Sequence, residues 1–137
     1  AVLGCEPIVV FLLAWKPNHG NAFKSKFPGR IVNLHPALPG TFPGTHAIER
    51  AWNASRRGEL AETGVMTHFV PDEGVDSGPV ILSELVAIGA DETLESLEAR
   101  MHETEHALVV KTARLLAETG VREREYSRER EYSREGV

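Results

Sequence analysis

The sequence predicts an α/β domain in which a mostly parallel sheet is flanked by helices. Residues 8–13 form an unbroken apolar and β-branched run, which is typical of a strand buried on both faces and hence of a parallel sheet. Farther along the chain, short apolar runs alternate with segments of helical periodicity. Strands that alternate with helices indicate an α/β architecture.

The predicted elements follow one another between residues 8 and 120. Strands are predicted at residues 8–13, 31–34, 65–70 and 80–86. Prolines and glycines between residues 36 and 44 predict a loop, because they exclude regular structure there. The helices are predicted to run from a cap at Thr45 to about Arg57, and from Asp91 or Thr93 to about Glu118 with a stop at Gly120.

The C-terminal segment has a different composition from the rest. Residues 122–127 repeat as residues 128–133, and the five arginines and five glutamates of the segment cancel in charge. Such a segment has nothing to bury, so we expect a solvated tail. The chain is therefore divided into a folded domain over residues 1–120 and a low-complexity charged tail over residues 121–137.

Composition excludes several classes of protein. The formal net charge of −5 and the lack of a Lys/Arg cluster argue against nucleic acid as a partner. Cys5 is the only cysteine, so no disulfide framework exists and a reducing compartment is expected. The longest apolar run is far shorter than the roughly 20 residues of a membrane span, and no signal peptide is visible. We expect a cytoplasmic protein without a membrane partner; the oligomeric state is left open.

A metal-binding pattern occurs at residues 102–106, which spell HExxH, the zinc motif of metalloproteases. Helical periodicity places both histidines away from the centre of the apolar stripe and Glu103 nearly opposite to it, whereas a protease needs all three to face one enclosed site. We therefore expect a solvated helix face and no metal. Glu105 is the informative residue, because it falls inside the apolar stripe and a buried carboxylate needs a partner or a ligand.

The chemistry is predicted at the end of the second strand. Asn33 and His35 lie at its carboxyl end, where open α/β sheets bind ligands, and strand alternation puts both on one face with Leu34 packed away. An amide beside an imidazole suits the stabilisation of an oxyanion and the handling of a proton. Asp76 lies in a glycine-flanked loop, and a carboxylate placed beside His35 would favour the imidazolium.

Several blocks of sequence resemble the phosphoribosylglycinamide (glycinamide ribonucleotide, GAR) formyltransferases of the folate-dependent formyltransferase family. The similar blocks, in the order and approximate spacing of that family, are residues 33–40, 67–70, 75–81 and the pair 105–106. Asn-x-His with a distant Asp also occurs in formyltetrahydrofolate hydrolases. Pro36 after the histidine and the Glu105-His106 pair favour the GAR enzyme. The resemblance implies a Rossmann-like formyltransferase fold, of which this chain carries the C-terminal, catalytic portion.

The resemblance also implies roles for individual residues. Formyl transfer from 10-formyltetrahydrofolate to the amine of GAR, a step of purine biosynthesis, would use Asn33, His35 and Asp76 as catalytic residues. Glu105 and His106 would contact GAR. Folate, a cosubstrate rather than a bound cofactor, would lie against Asn33 and the segment Trp15, Lys16, Pro17, Asn18 and His19.

Two departures from the family leave alternatives open. No Gly-rich phosphate-binding turn precedes Ile8, so we expect the N-terminal part of the family's domain to be missing. Residues 16–19 are polar, whereas a pterin site is mostly apolar. The alternatives to an active GAR formyltransferase are a truncated and inactive enzyme, a non-catalytic remnant of the fold, and a formyltetrahydrofolate hydrolase in which water replaces the amine.

Overall fold

The computed structural model describes residues 9–12, 26–27, 29–70 and 78–120. Within these ranges the chain forms four strands and two helices. The strands are β1 (Val10–Leu12), β2 (Ile31–His35), β3 (Glu62–Phe69) and β4 (Val80–Ala87), and the helices are α1 (Ala47–Arg56) and α2 (Leu94–Thr119). Each of the six lies where an element of the same type is predicted, so the α/β class is confirmed. The predicted tail lies outside the described residues.

The strands form one sheet in the order β1-β2-β3-β4. β1 pairs with β2 in parallel, whereas β2–β3 and β3–β4 are antiparallel pairs. The described part of the sheet is therefore mixed, because one of its three strand pairs is parallel and two are antiparallel. For β3 and β4 the reason is the connection through residues 70–79, which is shorter than the crossover of a dozen or more residues that parallel neighbours require.

Both helices pack on one face of the sheet. A buried cluster joins Ala51 of α1 to Val65 and Val86 of the sheet and to Leu97, Met101 and Leu108 of α2. Val32 packs in a second cluster with Leu116 of α2, and Leu34 packs against the first. Since residues alternate along a strand, Asn33 and His35 point to the opposite face of the sheet. The predicted separation of Leu34 from these two residues is confirmed.

The helix ends confirm one predicted cap and correct another. The side chain of Thr93 accepts a hydrogen bond from Ser96 N at 3.2 Å, and Gly120 ends α2 in the left-handed conformation, as predicted. The prediction that Thr45 caps α1 is wrong. The N-cap is His46, which has φ 55° and makes no side-chain capping bond, so the chain enters α1 one residue later than expected.

The two later strands are longer than predicted. β3 begins at Glu62 rather than Val65, because Glu62, Thr63 and Gly64 continue the pairing with β4. The register shifts between Thr67, which pairs with Leu82, and His68, which pairs with Val80. The hydroxyl of Thr67 accepts a hydrogen bond from Leu82 N at 3.3 Å and shares a second with Thr112 of α2 at 2.8 Å. These bonds stabilise the irregular end of the pair, as bulges require.

Candidate active site

Asn33 and His35 lie side by side on the face of the sheet opposite the helices. Asn33 is only 8% exposed and His35 only 4%, so both polar side chains are shielded from bulk water. A buried amide and a buried imidazole are costly unless they are hydrogen-bonded, and each has partners. Placed on one face within two residues of the strand end, they form the core of a candidate active site, as the sequence predicts.

His68 is a third polar residue on this face, and it was not among the predicted site residues. It pairs with Asn33 across β2 and β3 and is fully buried. Its Nδ1–H donates to the carbonyl of Phe69 at 3.0 Å, so in the neutral ring Nε2 carries the lone pair. Asn33 Nδ2 donates to that Nε2 over a long 3.4 Å contact. The strand period of two would have placed His68 beside Asn33, had the antiparallel register been known.

The tautomer of His35 is set by a backbone carbonyl in the loop that follows β2. His35 Nε2 lies 3.0 Å from the carbonyl oxygen of Phe42, which can only accept, so Nε2 carries the hydrogen. In the neutral ring the lone pair is then on Nδ1, and the bond fixes the ring's rotation as well. The Phe42 contact was not predicted, because nothing in the sequence specifies which carbonyl the loop presents.

A small cavity opens beside His35. It has a volume of about 120 Å³ and is lined by His35, Gly40, Thr41, Pro43 and Met66. Backbone and side chains of the loop form one wall, and β3 contributes Met66 from the same face as His68. A space of this size accommodates a few heavy atoms or waters, so this cavity alone could hold only part of a ligand.

Gly64 allows the loop to lie close to the sheet. A Cβ at this position would fall well inside van der Waals contact with the carbonyl oxygen of Glu84 and with the side chain of Leu38. Leu38 belongs to the loop after His35, and its carbonyl accepts hydrogen bonds from both the amide and the hydroxyl of Thr41. The lack of a side chain at Gly64 therefore sets how closely the cavity wall approaches β3.

Glu105 is confirmed as an inward-facing carboxylate of α2. Its side chain is 15% exposed, and among the described residues its carboxylate lies 4.0 Å from His102 Nε2. Burial raises the pKa of the Glu105 carboxyl, while the charges of His102 and His106 lower it in part. His106 is exposed. α2 packs on the face that Leu34 presents, whereas His35 lies on the opposite face of the sheet.

The two histidines and Glu103 of the HExxH segment face solvent, as predicted. The side chain of His102 is 60% exposed, and Glu103 and His106 are also exposed. Within residues 9–12, 26–27, 29–70 and 78–120, no group of three or more His, Cys, Asp or Glu side chains is arranged to hold a metal ion. In the same ranges, no helix is long and apolar enough to cross a membrane.

Two parts of the predicted site lie outside the described residues. One is Asp76, the third catalytic residue predicted from the sequence. The other is the predicted folate segment of Trp15, Lys16, Pro17, Asn18 and His19. The described part of the predicted site therefore consists of Asn33, His35, Glu105 and the exposed His106. The structure adds His68 and the carbonyl of Phe42.

Comparisons with known proteins show which family this chain resembles. The family model described as formyl transferase matches residues 6–113. Phosphoribosylglycinamide formyltransferase of Dictyostelium discoideum is 49% identical over 64% of this chain, and that of Saccharomyces cerevisiae is 41% identical over 80%. The crystal structure of phosphoribosylglycinamide formyltransferase from Streptococcus pneumoniae is 41% identical, with a TM-score of 0.70 over 79% of this chain. This chain spans 42%, 53% and 57% of the three proteins, respectively.

Proposed function

Because this chain belongs to the formyl transferase family, we propose that it carries the formyl-transfer centre of a phosphoribosylglycinamide formyltransferase. One observation carries the proposal: Asn33 and His35 are buried together on one face at the end of β2, with hydrogen bonds that fix both. The relatives named above are phosphoribosylglycinamide formyltransferases, which supports GAR and 10-formyltetrahydrofolate as the substrates.

In the proposed reaction the amine of GAR attacks the formyl carbon of 10-formyltetrahydrofolate. A C–N bond forms, negative charge develops on the formyl oxygen, and the bond from that carbon to N10 of the folate then breaks. The proton that leaves the GAR nitrogen ends on N10, so the products are formyl-GAR and tetrahydrofolate. The reaction needs groups that stabilise an oxyanion and groups that move a proton.

Asn33 and His35 meet these needs. An amide nitrogen has two hydrogens; one is directed at His68, and the second donates to the oxyanion in our proposal. The His68 contact orients the amide before the substrate binds, which is what makes such a donor effective. His35, as an imidazolium, would stabilise the same charge. Asp76 is proposed to favour that charged form and to relay the proton through water.

Glu105 and His106 are proposed to contact GAR. Glu105 supports this role best, because its side chain is only 15% exposed and, among the described residues, it lies no closer than 4.0 Å to the imidazole of His102. A positively charged or hydrogen-bonding group of the substrate would replace the solvation that the carboxylate loses. Trp15 and residues 16–19 are proposed to contact the folate, on the strength of the sequence resemblance alone. A cytoplasmic location belongs to the same proposal.

The proposal is tested by assaying the 137-residue chain with GAR and 10-formyltetrahydrofolate. Tetrahydrofolate formation is followed by absorbance and formyl-GAR by mass spectrometry, and reactions without GAR serve as the control. We expect both products to form together and only when GAR is present. Formate and tetrahydrofolate without GAR would instead identify a formyltetrahydrofolate hydrolase. No turnover of the folate, in a chain shown to be folded, would identify a non-catalytic form.

A further inference from the structure

Phe42 is an uncommon feature of the loop that follows β2. Its φ is 41°, in the left-handed region that non-glycine residues rarely enter. Its side chain packs against the core cluster on the helix side of the sheet, whereas its carbonyl reaches His35 on the opposite face. The left-handed backbone thus lets a single residue bridge the two faces around the end of β2. Such a conformation costs on the order of 1–3 kcal/mol and persists only if its surroundings enforce it.

Arg50 of α1 supplies that enforcement through two contacts. Its Nη2 donates to the carbonyl of Pro43 at 2.5 Å, and its guanidinium carbon lies 5.7 Å from the centroid of the Phe42 ring. A guanidinium within about 6 Å of a ring centroid is attracted to the ring face. The Nε atom of Arg50 is shielded from solvent, whereas the Nη2 bond to Pro43 lies at the surface.

We propose that Arg50 is a positioning residue for His35. Arg50 binds the ring of Phe42 and the carbonyl of Pro43. These two contacts fix the Phe42 carbonyl, which lies between them, in the position where it accepts the Nε2–H of His35. Arg50 thereby selects the tautomer and the rotation of the imidazole without touching the substrate. The proposal rests on the catalytic role proposed for His35, but its structural step stands on the contacts of the loop.

The helix also carries a matched control. Arg56 lies in the last turn of α1, with its guanidinium carbon 5.4 Å from the ring centroid of Trp52 and its Nη2 donating to the carbonyl of Gly89 at 2.7 Å. Both arginines therefore stack on an aromatic ring and bind a loop carbonyl. Only Arg50 binds the loop that contacts His35, so a general loss of helix or surface stability should appear equally in both variants.

The test compares Arg50→Met with Arg56→Met by NMR of ¹⁵N-labelled histidine. Ring nitrogen shifts report which nitrogen carries the hydrogen, and a His35→Gln spectrum assigns the signal. In spectra recorded at alkaline pH, where imidazole rings are neutral, we expect the Nε2–H tautomer of His35 in the wild type. In Arg50→Met we expect loss of that single tautomer in favour of a mixture, while Arg56→Met keeps the wild-type signal. A wild-type Nδ1–H tautomer, an unchanged Arg50→Met signal or an equal change in both variants would each overturn the proposal.

A kinetic measurement separates this proposal from the proposed function. Misplacing a catalytic group by about 1 Å can cost on the order of 100-fold in rate, so we expect Arg50→Met to lower kcat by roughly 10–100-fold with little change in KM for GAR. Arg56→Met should keep near-wild-type kcat. If the wild-type chain is inactive while its tautomer still depends on Arg50, the proposed function fails and the positioning contact stands. An active wild type with equal kcat in both variants would overturn the positioning role.

Discussion

At the scale of single residues, the candidate site depends on hydrogen bonds that fix side chains before any substrate is present. Asn33 is oriented by His68, and His35 by the carbonyl of Phe42. Each of these bonds lies on a buried face, where competition from water is weak and a lost partner would leave a polar group unsatisfied. The reactive side chains are thus already positioned by neighbours that the sequence pattern alone did not identify.

Glu105 differs from Asn33 and His35, because the burial of its carboxylate lowers the stability of the folded protein. Since burial raises the pKa of its carboxyl, the folded protein favours the protonated form, and stability is lost as the pH rises through that raised pKa. Replacing Glu105 by Gln, which does not ionise, should remove this pH-dependent loss of stability. We expect the free energy of unfolding of Glu105→Gln to exceed that of the wild type at neutral pH, with a difference that shrinks toward acid pH. Urea unfolding at several pH values measures it.

The same substitution should weaken substrate binding if Glu105 contacts GAR. A hydrogen bond to a charged group contributes roughly 1.5–3 kcal/mol, which corresponds to about 10–100-fold in the dissociation constant for GAR by calorimetry. Glu103→Gln, on the exposed side of the same helix turn, is the control and should change neither quantity. An unchanged GAR affinity in Glu105→Gln would remove Glu105 from the proposed substrate site.

At the scale of elements, the catalytic face depends on how closely the loop after β2 packs on β3. The strand periods and the turn residues predicted the six described elements β1–β4, α1 and α2, since these signals are local. They did not predict the mixed direction of the sheet, the left-handed entry into α1 at His46 or the extension of β3 to Glu62. These features depend on long-range pairing and on how the loop crosses the end of the sheet, neither of which a local pattern encodes.

Gly64 provides a test at this scale. In Gly64→Ala the new methyl group would overlap the Glu84 carbonyl and the Leu38 side chain, and one of these is backbone that cannot move cheaply. We expect a loss of about 1–3 kcal/mol in the free energy of unfolding, as for other overpacked sites.

Gly89→Ala is the control for this prediction. Its nearest neighbour would be the Glu92 Cβ at 3.3 Å, a contact that a small shift relieves. Gly89→Ala should therefore cost clearly less than Gly64→Ala in the same denaturant titration. Equal stabilities of the two variants would show that the loop does not rely on the missing side chain at position 64.

At the scale of the whole molecule, the described residues form a sheet with two helices on one face and the candidate active site on the other. The family and the positions of Asn33 and His35 could be predicted because both depend on short motifs at the end of a recognisable strand. The parts of the site that involve Asp76 and residues 15–19 stay predictions. The chain also spans about half the length of its relatives, so the activity of the whole enzyme is a proposal for this chain rather than a property of it.

Because Asn33 and His35 are proposed to carry the formyl-transfer chemistry, kcat/KM for formyl-GAR formation should fall in Asn33→Ala and in His35→Ala. We expect a loss of about 100–1,000-fold for Asn33→Ala, as for other oxyanion donors, and about 100–10,000-fold for His35→Ala. Circular dichroism and the urea midpoint should show that both variants remain folded. A kcat/KM within tenfold of the wild type in both folded variants would show that neither residue carries the formyl-transfer chemistry.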